Sequence, residues 1–154
     1  MKSAIGGSML FYLVLFFTIT IILLFASILS YSKAYRVKNR IINILETVDM
    51  TSISAKAEAL MKIDDDLRQI GYKNTIGEFN CGATCVDPFK DVYDDPTYKY
   101  KKSFKYCVCQ KSSENNHGIY YEVTTYNQFE FPIIGSVFSS KVKGETKIVD
   151  RVYE

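Results

Sequence analysis

Tryptophan is absent from the 154 residues, and histidine occurs once. No acidic residue precedes position 41, and no charged residue interrupts Ile5 to Leu29. Each absence removes a class of function. The single histidine, His117, lies in a polar turn sequence with no nucleophile or orienting carboxylate placed around it. A Ser-His-Asp-type triad, which needs all three groups in register, is therefore not encoded. The chain has no glycine-rich phosphate loop, no H-E-x-x-H and no C-x-x-C, which removes the commonest nucleotide, zinc-protease and thioredoxin-like signatures. The acidic stretch holding Asp87, Asp91, Asp94 and Asp95 lacks the spacing of a calcium loop. No internal repeat and no low-complexity tract occur. Nothing argues for an enzyme, a cofactor or a resident metal.

What is present is one dominant stretch, IGGSMLFYLVLFFTITIILLFASIL, from Ile5 to Leu29. As a helix it measures roughly 37 Å, against ~30 Å for the hydrocarbon core of a bilayer. Its hydroxyl residues Ser8, Thr18, Thr20 and Ser27 can bond back to their own helix. A soluble core would need a far larger domain to surround such a helix. A cleaved signal peptide is the competing reading, with Lys2 as the basic flank and Ser30-Tyr31-Ser32 as the cleavage site. The apolar run is about twice the expected 7–15 residues, so a retained anchor is preferred.

Charge is unevenly placed. Residues 1–40 carry Lys2, Lys33, Arg36, Lys38 and Arg40, leaving 14 of the 19 basic and all 17 acidic residues to 41–154, a net of −3. That balance argues against nucleic-acid binding. The basic residues after the span favour a cytoplasmic C-terminal domain by the positive-inside rule. Four cysteines favour the opposite side, because cytosolic thiols stay reduced. The cysteines carry more weight, for a geometric reason. Cys107-Val108-Cys109 on a strand places two sulfurs on one face about 6.6 Å apart at Cα, a poor zinc knuckle but suited to two disulfide rungs. The partners are Cys81 and Cys85. Of three connectivities, joining Cys107 to Cys109 is strained. Antiparallel approach of the two segments favours Cys85–Cys107 with Cys81–Cys109.

The periodicity predicts an α+β chain. Residues 1–30 form the anchor helix. Residues 31–52 form a juxtamembrane stem, with Ala34, Val37, Ile41, Ile42, Ile44 and Leu45 at helical spacing. Residues 53–154 form an extracytoplasmic domain. Within it a second helix spans Ile53 to Ile70, with Thr51 or Ser52 as N-cap and Gly71 beyond its end. Asp64-Asp65-Asp66 reads as a solvated face of that helix. Strands are expected over Tyr72–Phe79, Tyr98–Gln110, Gly118–Phe131 and Lys141–Tyr153, the middle two as a hairpin across Lys111 to Gly118. Twelve tyrosines and ten phenylalanines supply the aromatic strand faces. Lysines 99, 101, 102 and 105 alternate with Tyr98, Tyr100, Phe104 and Tyr106, which gives one wet and one packed face. Asp87-Pro88 through Asp95-Pro96 reads as a surface loop, and Pro132 stops the third strand.

This plan resembles that of pilins, and more narrowly the TadE/TadG-like pseudopilins of tight-adherence (Tad) pili and their Gram-positive relatives. The C-terminal stretch YYEVTTYNQFEFPIIGSVFSSKVKGETKIV is similar to that family's ending. There an alternating strand leads to a Phe-Pro element and a final strand. Val123, Thr125, Tyr126, Phe131, Pro132 and, after Gly144, Thr146 to Val149 are the counterparts. The similarity covers the anchor and about 30 C-terminal residues. It implies a structural minor pilin or pseudopilin-like subunit, with membrane lipid, other pilin-like subunits or assembly proteins as partners. It also implies a prepilin peptidase cutting after Gly7, before Ser8. The chain departs from the family where a glutamate is expected five residues after the scissile glycine, since Tyr12 stands there. Two other classes fit the residues: an anchored extracellular binding module using a tyrosine-rich sheet, and a cytoplasmic-facing zinc domain.

Overall fold

The computed structural model describes residues 2–72, 81–98, 104–113, 118–131 and 135–148, with side chains outside 2–7, 127–131 and 135–140. It is an α+β chain. The elements in order are α1 (Lys2–Thr47), α2 (Ile53–Gln69), the short α3 (Lys90–Asp94), β1 (Tyr106–Ser112), β2 (Ile119–Phe131) and β3 (Gly135–Glu145). The strands form one antiparallel sheet in the order β1-β2-β3.

α1 is continuous for 46 residues, about 69 Å at 1.5 Å per residue. Anchor and stem are thus one rod. Its last third is built into the domain: Ala34, Val37, Ile41 and Leu45 are buried, at i, i+3, i+7 and i+11 on one stripe. The stripe meets the sheet face carrying Tyr121, Val123 and Thr125 of β2 with Val142 of β3, all buried. Thr125 Oγ1 donates to the Ala34 carbonyl at 3.1 Å, fixing the level at which strand and helix cross. Gly144 permits the close approach. A Cβ there would fall 2.7 Å from Lys38 Cδ and 2.9 Å from Ile42 Cδ1.

α2 runs back along α1. Ser52 is the N-cap, accepting from Ala55 N at 3.2 Å. Gly71 at φ +66° turns the chain out, while Tyr72 N bonds Leu67 O and Gly71 N bonds Arg68 O. Ala57, Leu60, Ile63 and Leu67 join the α1 stripe, Phe89, Val92, Phe104, Tyr106 and Val108 in a single core.

Several expectations are revised. Asp64 does not share a solvated face with its neighbours. It is 8% exposed, whereas Asp65 is exposed and Asp66 half-buried. Its spacing from Leu60 and Leu67 puts it on the apolar stripe. The Asp87 to Pro96 segment is not simply a surface loop. Pro88, Phe89 and Val92 are buried and α3 forms within it, started by Phe89 N bonding Asp87 Oδ1 at 2.9 Å. β1 begins only at Tyr106, and the last strand runs Gly135–Glu145, earlier than Lys141–Tyr153, because it pairs with the full length of β2 down to Phe131↔Gly135. Residues 73–80, 114–117 (with His117), 132–134 and 149–154 lie outside the described residues, as do Lys99, Tyr100, Lys101 and Lys102. The expected Tyr72–Phe79 strand, the tip of the β1–β2 turn and Pro132 therefore fall there.

Candidate membrane anchor and cross-linked head

The first half of α1 contrasts with the second. From Met9 to Leu29 every large apolar side chain is exposed, including Phe11, Phe16, Phe17, Phe25 and Leu24. This helix is long and apolar enough to cross a membrane. Its hydroxyls are satisfied internally: Thr18 donates to Val14 O at 2.8 Å, Thr20 to Phe16 O and Ser27 to Leu23 O, both at 2.9 Å. That is what a lipid environment demands of a polar side chain. The backbone is helical through Gly6, Gly7 and Ser8.

All four cysteines are paired. The bridges are Cys81–Cys107 and Cys85–Cys109, with Cα separations of 5.6 and 5.0 Å. The two rungs on one strand face are as expected, but the pairing is the other one. The expected pairing fails because Cys81 meets the earlier cysteine of β1 and Cys85 the later one, although at Val86 the chain bridges Gln110 in antiparallel sense. Gly82, at φ +103°, and the Cys85 N to Gly82 O bond at 3.2 Å make a tight turn. That turn compresses the four-residue step from Cys81 to Cys85 onto the two-residue step from Cys107 to Cys109. Gln110 N then bonds Val86 O at 2.8 Å. The segment covers the sheet face opposite α1, where Cys107, Cys109 and Thr124 are buried. Disulfides of this kind fit a domain in an oxidising compartment.

Among the described residues several titratable groups are held by burial or ion pairs. Burial raises the Tyr93 phenol far above its usual range, and the Asp87 and Asp64 carboxylates add to this. Burial raises Tyr72 and Tyr121 as well. On the wet sheet face Glu122 binds Lys111 at 2.7 Å and Lys143 at 3.3 Å. The hydrogen bond from Lys111 is the largest cause holding its carboxyl below the usual glutamate value. Among the described residues no group of three or more His, Cys, Asp or Glu could hold a metal ion. Asp91 is engaged by Lys56 at 3.3 Å, and the Asp95 carboxylate accepts from Thr97 N at 2.8 Å. Of the sheet tyrosines, Tyr106 and Tyr121 are in the core, and Tyr120 and Tyr126 are half-buried.

The sequence left one arrangement unread. Tyr72, placed by the end of α2, sends its hydroxyl between the carbonyls of Lys105 (3.0 Å) and Tyr126 (2.7 Å) and accepts from Tyr126 N at 3.1 Å. Lys33 of α1 donates to the Gly71 carbonyl. The end of α2, the start of β1 and the middle of β2 are thereby tied to α1 at one level. Only the tertiary fold brings these positions together.

No protein-family model, curated protein or solved structure matches this chain.

Proposed function

We propose that the protein is a structural, pilin-like subunit of a surface filament or secretion machine. It is anchored by the first half of α1 and presents its head on the extracytoplasmic side. The observation that supports this is the division of α1: one unbroken helix is uncovered and apolar for its first half and forms the spine of a disulfide-braced head in its second. Such a rod suits lateral packing of helices between like subunits, with small residues Gly6, Gly7 and Ser8 near its start. No side chain performs chemistry in this reading. The partners are membrane lipid and other pilin-like or assembly proteins, and a prepilin peptidase acting between Gly7 and Ser8 belongs to it.

Protein taken from intact cells, alkylated without reductant and weighed, tests the reading directly. The expected product is unalkylated, with both bridges intact, and begins at Ser8. Four alkylated cysteines would overturn the extracytoplasmic head, and an N-terminus at Met1 or Lys2 would overturn the processing. Cysteine cross-linking of α1 at Leu15, carried out in membranes, should give ladders of multimers. A monomer that instead binds a saturable sugar or protein ligand would favour an anchored binding module.

A further inference from the structure

The β2–β3 hairpin runs toward the uncovered end of α1. Two levels fix the direction. At the far end, Lys147 N bonds Glu46 Oε1 at 2.8 Å and Thr146 N bonds Tyr121 O at 3.0 Å, beside the end of α1. At the near end, Thr125 meets Ala34. β2 then continues six residues beyond Thr125 to Phe131, paired with β3 apart from a register shift between Phe129 and Glu130 that leaves Val137 without a partner strand position. Six strand residues cover about 20 Å. The apolar run ends at Leu29, only five helical residues before Ala34, or about 7.5 Å. The hairpin is therefore long enough to reach the level at which the apolar run ends.

Its sequence suits that place. Phe129 pairs with Phe138, and Phe131 with Gly135. Val137 stands next to Phe138, and Glu130 is the one charged residue between Tyr126 and Lys141. At the base of this extension the head is basic and aromatic. The Lys105 and Lys141 ammoniums stand 5.5 and 5.8 Å from the Tyr126 ring centroid. Lys33 lies at the same level on Gly71, and Tyr35 and Arg36 are exposed on α1.

We propose that the β2–β3 hairpin, with the basic collar of Lys33, Arg36, Lys105 and Lys141 at its base, docks the head onto an anionic lipid surface. Phe129, Phe131, Val137 and Phe138 supply apolar residues for the headgroup–acyl boundary, and the collar supplies cations for lipid phosphates. Apolar insertion plus basic residues is the pairing that makes interfacial attachment stable. This inference rests on the membrane-anchor reading of α1. It also gives the basic residues after the span a role that does not require a cytoplasmic head.

Because the chain has no tryptophan, single substitutions report their own depth. The full chain is reconstituted in phosphatidylcholine vesicles with or without about one third phosphatidylglycerol, doped with lipids brominated near the headgroup. Phe129→Trp and Phe138→Trp should lose about half their emission in the anionic vesicles, as interfacial indoles do. The loss should shrink in pure phosphatidylcholine, at high salt, and in the Lys105→Gln/Lys141→Gln background. Ile148→Trp, at the far end of the head, should be unaffected, and Leu15→Trp should be quenched by lipids brominated deep in the chain. An unquenched Leu15→Trp would overturn the anchor itself. Quenching at Leu15 with none at 129 and 138 would overturn the docking and leave the anchor standing. Quenching at 129 and 138 indifferent to lipid charge would overturn the anionic specificity. Shielding that grows with protein-to-lipid ratio, without bromine quenching, would assign the hairpin to a neighbouring subunit instead.

Discussion

The two halves of α1 share a backbone conformation and differ in what surrounds them. Residues 9–29 keep every large apolar side chain uncovered, while Ala34, Val37, Ile41 and Leu45 are covered to within about 1%. The boundary coincides with a change of pattern. Before Leu29 apolar residues occupy every face; after Lys33 the buried ones keep to one stripe, with Tyr35, Arg36 and Arg40 exposed off it. A helix apolar all round has no preferred side and needs an apolar solvent. A striped helix needs one partner, and here the sheet provides it. Loss of packing should therefore damage one half and spare the other.

The harshest test removes the cross-links. In the Cys81→Ser/Cys85→Ser chain each lost bridge should cost the head about 2–4 kcal/mol, since a domain this small has a modest core. Far-ultraviolet circular dichroism in micelles should retain the helical signal of the first half of α1, while proteolysis cuts within 53–148. A head that stays resistant would show that the core alone suffices. Next in size, Ile41→Ala should destabilise the head by about 2–5 kcal/mol in denaturant titrations, through lost burial and the cavity left behind. Leu15→Ala should leave head stability unchanged. Equal effects at the two positions would abolish the distinction between the halves. Smaller again is Gly144→Ala, expected to cost about 1–3 kcal/mol by overpacking against Lys38 and Ile42. Lys38→Ala should recover part of that loss, because Lys38 Cδ is the atom nearest the added methyl.

Elements whose signal is local were legible in the chain. The apolar run, the Ser52 cap, the Gly71 terminus and the antiparallel pairing of the Cys107 strand with the strand after Gly118 all follow from residues a few positions apart. What escaped depends on chain direction in space. The disulfide pairing turns on the order in which Cys81 and Cys85 meet β1, set by the turn at Gly82, and no side chain in the segment encodes that. Asp64 was misread because three consecutive carboxylates look solvated, although its spacing from Leu60 and Leu67 already marked it as inward. The collar of Lys33, Lys105 and Lys141 draws on three elements, so no window of sequence contains it.

The smallest effect concerns the wet face of the sheet, where the contrast with the core is one of chemistry. Glu122 sits directly opposite Glu145 in the register, an unfavourable pair that Lys111 and Lys143 offset from diagonal positions. The hydrogen bond from Lys111, more than any other contact, lowers the native Glu122 pKa below its unfolded value. A carboxyl so shifted contributes stability that is fully present above the unfolded glutamate pKa and fades as pH falls through the lowered native one. The same contact raises the Lys111 pKa, so its share is present below the unfolded lysine value and is lost as pH climbs through the raised one. Glu122→Gln should therefore lower the urea midpoint at neutral pH, with the deficit closing on acidification. Because both lysines are exposed, added salt should shrink it too. In Ile41→Ala the deficit arises from lost packing and should persist through both treatments. A Glu122→Gln deficit as indifferent to pH and salt as that one would mean that the Glu122 side chain acts by packing, and the wet face would then differ from the core only in degree.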